Sequence, residues 1–313
     1  MDGHSKTIDL SNTNLKSGTK WVRTALVSRG GLTQALAYHS YLHIEISEFR
    51  LRFFVAQAGE CVWLEDYASD MFLTPHQVLE NLKLLVFDHP VLALTGWKAI
   101  HITVSTDGFT LIPDSLFRKE YAARYLQLTQ GHPVLATNKA LHEHLPALGM
   151  YSVFQMPAEW WNFFQDHFAL QPLFFSHICT PLLLGALRKT DASKDTQVFL
   201  QFQEGFFIAL VLEKKKLQFC NRFRFHNPEE ATFFVLSFLN ELNYLPEGVE
   251  LCLSGETTPF SGVFGELARF LPHIFFAKKP RQLAYPDEFE DLADHRYFAL
   301  LNCYELSGLR GEG

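Results

Sequence analysis

The feature that most constrains this chain is an order of elements that occurs twice. Leu42, Ile44 and Ile46 alternate with polar or aromatic neighbours, Leu51, Phe53 and Val55 do the same, and an apolar stretch follows at 61–64. The separators, Ser47-Glu48 and Ala58-Gly59-Glu60, are short enough for hairpin turns, so this region predicts three antiparallel strands. The next segment, FLTPHQVLENLKLLVF, carries a helix start at Thr74-Pro75, with Val78, Leu79, Leu82, Leu85 and Val86 at helical spacing. A strand follows at 99–104, then a turn at Asp107-Gly108 and an extended piece at 109–112.

The order returns about 150 residues later. Val198, Leu200 and Phe202 alternate, Glu204-Gly205 turns, 206–212 runs on, Lys214-Lys215-Lys216 turns again, and 217–225 completes a third strand. Asn227-Pro228 then starts a helix, with Glu229 and Glu230 at the positive end of its dipole, and a strand at 251–253 ends in Ser254-Gly255-Glu256. Between the copies the pattern predicts a helix over 116–126, strands over 134–137 and 151–156, and helices over 157–168 and 177–187. After the second copy it predicts a helix near 264–271, a strand over 273–276 and a helix near 295–306.

Duplication in 313 residues implies a two-lobed α/β protein. The expected division is a flexible arm over 1–20, a first lobe over 21–193 with the intervening helical and strand segment inserted in it, a second lobe over 194–306, and a tail over 307–313. Hydrophobic residues at 48% supply ample core, and no apolar run approaches the roughly 20 residues needed to cross a bilayer. The polar first 20 residues lack the apolar stretch of a secretory signal, and five scattered cysteines without a CxxC fit reduced thiols; together they point to the cytoplasm. A net charge of −7 with no basic stripe argues against nucleic acid, and the triple lysine reads as a solvated turn.

Two uses of a β-β-β-α-β-α unit make the plan of the ribonuclease-H-like lobes of actin-like ATPases. The stretch LQFCNRFRFHNPEEATFFVLSFLNELNYLPEGVELCLSGE, with FTLIPDSLF before it and HRYFALLNCYEL after it, resembles an uncharacterised bacterial domain family of actin-like ATPase fold. The resemblance runs in order from Leu36 to Leu306 and implies fold, not activity. It implies where a nucleotide site would lie: two Gly-rich hairpin turns, one per lobe, whose N–H groups approach the phosphates, and a Gly-Gly turn for the adenosine. At the first position stand Glu45, Ser47 and Glu48 with no glycine; at the second, Gln201, Gln203, Glu204 and Gly205; at the third, Ser254, Gly255 and Glu256. Acidic side chains without flanking basic groups repel a triphosphate, so these are degenerate positions and no cofactor is expected. Arg50 and Arg52 follow the first turn and share one face of the strand, so they could offset that repulsion if they face the cleft.

Other chemistry is weaker. His142-Glu143-His144 lacks a third ligand and reads as a loop or helix end, no metal site is expected, and Gly262 with Gly265 reads as a close-packed turn before a helix. There is no Walker A motif, no GxGxxG and no GxSxG, so no catalytic residue is assigned. In EWWNFFQDHF, Trp160, Phe164 and Phe168 are expected in the core and Trp161 outside it. Three functions remain: an adaptor or scaffold with a protein partner, a nucleotide-responsive protein with atypical phosphate contacts, and a metal-dependent hydrolase built on Glu45, Glu48 and Glu204.

Overall fold

The computed structural model describes residues 20–86, 89–189 and 196–306. The arm expected over 1–20 therefore lies outside the described residues up to its last position, where the Lys20 N–H donates to Asn81 Oδ1 at 2.8 Å; the tail over 307–313 and the lobe boundary near 193 also lie outside.

The chain begins with strand β1 (Val22–Ser28) and a short helix α1 (Gln34–Tyr38). Strands β2 (Tyr41–Ile46), β3 (Arg50–Gln57) and β4 (Glu60–Ala68) form the expected meander, followed by helix α2 (Pro75–Val86). Thr74 caps α2 by accepting from the Gln77 N–H, while Gln77 Oε1 accepts from the Thr74 N–H, a reciprocal capping box. Next come β5 (Ala99–Val104), β6 (Phe109–Pro113), α3 (Ala122–Gln130), β7 (Asn138–Leu145), β8 (Met150–Pro157), α4 (Ala158–His167), β9 (Leu173–His177) and α5 (Cys179–Lys189). The second copy is β10 (Thr196–Gln203), β11 (Phe206–Glu213), β12 (Lys216–Arg224), α6 (Pro228–Glu241), β13 (Glu250–Gly255), α7 (Gly262–Ala268), β14 (Ile274–Phe276) and α8 (Phe298–Asn302).

Sheet topology establishes the duplication. The first sheet runs β1-β4-β3-β2-β5-β9 and the second β12-β11-β10-β13-β14. Leaving aside β1, each has three antiparallel strands, then two parallel additions on the side of its first strand. Helices α2 and α6 follow the third strand of each copy, and both start on a capped proline. The turn between β11 and β12 has Lys214 and Lys215 at φ of +47° and +66°, the left-handed pair of a tight hairpin, as read from the sequence.

The insertion differs from expectation. It forms a third sheet, β6-β8-β7, with α3 against it. The helix begins at Ala122, not 116; β7 covers 138–145, not 134–137; and β9 had no counterpart in the sequence reading. Gly262 and Gly265 lie inside α7, not before it.

One face of the first sheet packs Ile44, Ile46, Phe53 and Val55 against α2 and α4; Trp160, Phe164 and Phe168 are buried there, and Trp161 is half-buried at its margin. The other face, through Phe54 and Leu64, meets Tyr297, Leu300 and Leu301 around α8. Phe298 and Ala299 of the same helix pack with α5 onto Phe199, Ile208 and Leu210 of the second sheet. Helix α8 thus fastens both sheets, and it sets the three turns named above against one another.

Candidate functional site

The site grows from cross-strand register. Glu45 on β2 lies opposite Arg52 on β3, and Arg52 lies opposite Asp66 on β4. The three side chains form one row across the sheet, and Arg50, two residues from Arg52, shares their face. Arg52 Nη1 meets Glu45 Oε1 at 3.0 Å and its Nε meets Asp66 Oδ1 at 3.1 Å; Arg50 Nη1 lies 3.3 Å from the same Asp66 oxygen.

The second lobe completes the cluster. Glu204, on the β10–β11 turn, bonds Arg50 Nε. Glu256, just past β13, meets Arg50 Nη2 at 2.8 Å through one oxygen and Arg52 Nη2 through the other. Arg296, before α8, reaches Asp66 at 3.2 Å and Glu256 at 3.4 Å, and the Tyr297 hydroxyl donates to Asp66 at 3.2 Å. Three guanidiniums (Arg50, Arg52, Arg296) thus meet four carboxylates (Glu45, Asp66, Glu204, Glu256) where the lobes join. A second contact stands beside it: Arg222 and Arg224 of β12 both pair with Asp107 of the first lobe.

Burial makes the cluster matter. Arg52 is 1% exposed and Asp66 is fully buried. Burial alone would raise the Asp66 pKa, but Arg52, Arg50 and Arg296 outweigh it and hold the carboxyl below its ordinary range. Burial likewise opposes the Arg52 charge, and Asp66, Glu45 and Glu256 overcome it, raising its pKa well above the usual value. Glu45 goes the other way: burial dominates over the pull of Arg52 and pushes its pKa up. Burial also raises Glu48, against the opposing influence of its own backbone and of Arg222 and Arg224.

The expected phosphate turns are therefore brought together, with two corrections. Their acidic residues do not lack basic partners, because Arg50 and Arg52 face the joint and occupy Glu204 and Glu256. Glu48 is on the first turn but outside the ion cluster, so Glu45, Glu48 and Glu204 do not converge as a carboxylate trio. Asp66, Arg296 and Tyr297 were absent from the sequence reading; the first is only an acid in a strand, and the others lie far along the chain.

The turn backbones spend several of their donors within the chain. Ser47 Oγ accepts from the Phe49 N–H at 3.2 Å and the Arg50 N–H at 2.9 Å, so the first turn spends these donors on its own hydroxyl. Gly205 has φ of +75° with open space where a Cβ would stand, so its conformation explains the glycine. At the third turn the Ser254 hydroxyl donates to Leu200 O, the Gly255 N–H to His295 O at 2.8 Å, and the Glu256 N–H to Phe202 O at 2.9 Å. A Cβ on Gly255 would lie 2.0 Å from Phe202 O, so this glycine serves the approach of two backbones.

Among the described residues no three His, Cys, Asp or Glu side chains converge as a metal site. His142-Glu143-His144 is a segment of strand β7, not a loop or helix end. His142 and His144 share one face near Tyr151, and Glu143 points oppositely, accepting from Ser176 Oγ and Thr180 Oγ1, each at 2.9 Å.

A family profile described as "Protein of unknown function (DUF3822)" matches residues 32–274. The chain belongs to this family. No protein with a curated description matches the DUF3822 chain. Among solved structures it is similar to a protein of actin-like ATPase fold and unknown function from Bacteroides thetaiotaomicron VPI-5482, at 18% identity and TM-score 0.71, over 88% of this chain and 100% of that one. It is also similar to a chain of the PilM–PilN type IV pilus biogenesis complex, at 11% identity and TM-score 0.59, over 84% of this chain and 96% of that one. At these identities the likeness is one of fold: the DUF3822 chain has the actin-like ATPase fold, with two ribonuclease-H-like lobes. Among the described residues no helix is long and apolar enough to cross a membrane.

Proposed function

We propose that this protein is a non-catalytic actin-like scaffold whose lobes are joined by their own charges in place of a nucleotide, and that it works by holding a protein partner. One observation carries this reading: Glu204 and Glu256 from the second lobe sit on Arg50 and Arg52 of the first, where phosphates would otherwise bridge the lobes. A ligand would have to displace fixed carboxylates and then find donors already used by Ser47, His295 and Phe202. Charge-assisted hydrogen bonds contribute about 1.5–3 kcal/mol each, so the loss of three or four takes a micromolar site beyond millimolar. The PilM–PilN complex supports the partner half of the reading, since a chain of similar fold is there part of a protein assembly. The five cysteines are scattered along the chain without a CxxC pattern, which supports a reducing compartment such as the cytoplasm.

The nucleotide-responsive alternative has one observation in its favour, the three guanidiniums themselves, which would suit phosphate if Glu256 swung away. Calorimetry of the full chain with ATP and Mg²⁺ separates the two. The scaffold reading expects no saturable heat below millimolar ligand. A dissociation constant below about 100 μM would overturn it.

A further inference from the structure

We propose that the hollow between the end of α5, strand β14 and the segment after β14 is a binding site for a small phosphorylated molecule. The site shares no residue with the ion cluster at the lobe joint, and it stands whether or not that joint takes a nucleotide.

The hollow has a volume of about 470 Å³, within the roughly 300–1,000 Å³ of small-molecule sites. Its floor follows from strand register. Phe275 lies beside Cys252 in a parallel ladder, so both side chains face α5 and α8. Strand β14 is the last of its sheet, which leaves Phe275 41% exposed as an apolar wall above buried Cys252, Ala277 and Asn302. A Cβ on Gly185 would lie 2.6 Å from the Asn302 side chain, so α5 and α8 meet closely and shut the bottom of the hollow.

The charged lining has one sign. Arg188 and Lys189 come from the last turn of α5, and Lys278, Lys279 and Arg281 from the segment after β14; among the described residues no Asp or Glu joins them. In a chain of net charge −7 this is a local reversal. Two of the five have acids behind the wall: Arg188 pairs with Glu305, and Lys279 lies 3.6 Å from Asp294. Lys189, Lys278 and Arg281 have no carboxylate partner among the described residues. Lys189 is half-buried, with its ammonium donating to Lys278 O and lying 5.1 Å from the centre of the Phe298 ring. Burial holds its pKa below the ordinary value, and Lys278 and Arg281 press the same way against Cys252 and Asp294. An anion among these three cations relieves that repulsion.

The cations are also fixed in place. The Ala277 N–H donates to Leu253 O at 2.8 Å and the Ala284 N–H to Gly59 O at 2.7 Å, while Pro280 and Leu283 are buried. The segment carrying Lys278 and Arg281 is thus pinned at both ends and along its inner side, so little ordering remains to oppose binding.

Charge and shape choose the ligand. Three cations without carboxylate partners, supplied from two elements, suit a compact anion with more than one charge. A tetrahedral phosphate accepts hydrogen bonds in several directions, whereas the acceptors of a carboxylate lie in one plane. A phosphate monoester carries about −1.5 to −2 charges at pH 7, and the wall at Phe275 offers apolar contact to the rest of the molecule. A lipid headgroup shares this chemistry, so the test separates the two sources.

The test is calorimetry of the full chain with sodium pyrophosphate, without Mg²⁺. The expected result is one saturable site with a Kd below about 1 mM. Lys278→Gln and Arg281→Gln alter exposed side chains; each should weaken binding about tenfold with Tm little changed. Lys215→Gln removes the same charge from the β11–β12 turn and should leave the affinity unchanged. On the unmodified chain, pyrophosphate should slow amide exchange between Ala277 and Gln282, which locates the site without a variant. No saturable heat, protection elsewhere, unchanged affinity of the Lys278 and Arg281 variants, or an equal loss in Lys215→Gln would overturn the proposal. The chain should stay in the supernatant with phosphatidylcholine vesicles containing phosphatidic acid; co-sedimentation lost in the same two variants would assign the site to a membrane surface and overturn the small-molecule reading. Heat from ATP that survives the Lys278→Gln, Arg281→Gln double variant belongs to the lobe joint and counts against the scaffold reading alone.

Discussion

Replacing Arg52 with Met keeps the stem of the side chain and deletes its charge. The guanidinium is 1% exposed and pairs with Glu45, Asp66 and Glu256, so the variant leaves buried carboxylates facing one another. Removing one partner of a buried ion pair costs about 3–5 kcal/mol, against at most about 1 kcal/mol for an exposed one. At about 2–4 °C per kcal/mol for a protein of a few hundred residues, Tm should drop by roughly 6–20 °C. Thermal unfolding followed by circular dichroism reads the drop. The cycle with Glu256→Gln reads the part that crosses between lobes. If Arg52 and Glu256 are coupled, the double variant loses about 0.5–3 kcal/mol less than the two single losses added. Additive losses, or an Arg52→Met cost below about 1 kcal/mol, would refute the claim that these charges hold the lobes together.

Two further outcomes follow from the same joint. Gly255→Ala places a Cβ 2.0 Å from Phe202 O at φ of +81°, whereas Gly205→Ala meets open space at φ of +75°. The second should lose only the left-handed penalty of about 1–2 kcal/mol and the first clearly more, by urea unfolding; equal losses would remove the backbone-approach argument. Asp66 has a folded pKa below its ordinary 3.8, so its stabilising contribution is complete above that value and fades as pH falls through the folded one. The urea midpoints of the parent and Asp66→Asn should therefore differ most near neutrality and converge below pH 3.8, and a gap constant with pH would contradict the assignment.

The duplication was legible because its signals are local. Alternation over six or eight residues, a turn of two, and a proline after Thr74 or Asn227 can each be read without knowing what they pack against. The shared face of Arg50 and Arg52 was legible for the same reason. Their partners were not: Glu204 is 154 positions from Arg50, and Glu256 is 204 from Arg52, so only tertiary closure brings them together. Strand β7 was hidden because NKALHEHL mixes leucines with histidines and one buried glutamate, a composition that edge pairing tolerates and propensity does not announce. The expected helix at 116 failed because Phe117 stacks on Tyr151 at 3.8 Å between ring centres, which fixes that stretch as the floor of the inserted sheet and delays the helix to Ala122.

A nucleotide and a carboxylate can both close two lobes, but they do so with different thermodynamics. Closure by a ligand contributes RT ln(1 + [L]/Kd) and so follows concentration and hydrolysis. Closure by Glu204 and Glu256 involves no free ligand, because these groups are part of the chain that they fasten. On the scaffold reading proposed above, a molecule held this way would have no nucleotide cycle with which to open, and the actin-like hinge would be a rigid joint, braced again by the Asp107 contact to Arg222 and Arg224. Rigidity of that kind suits a surface that must be formed before its partner arrives, because the ordering cost is met in folding instead of in binding.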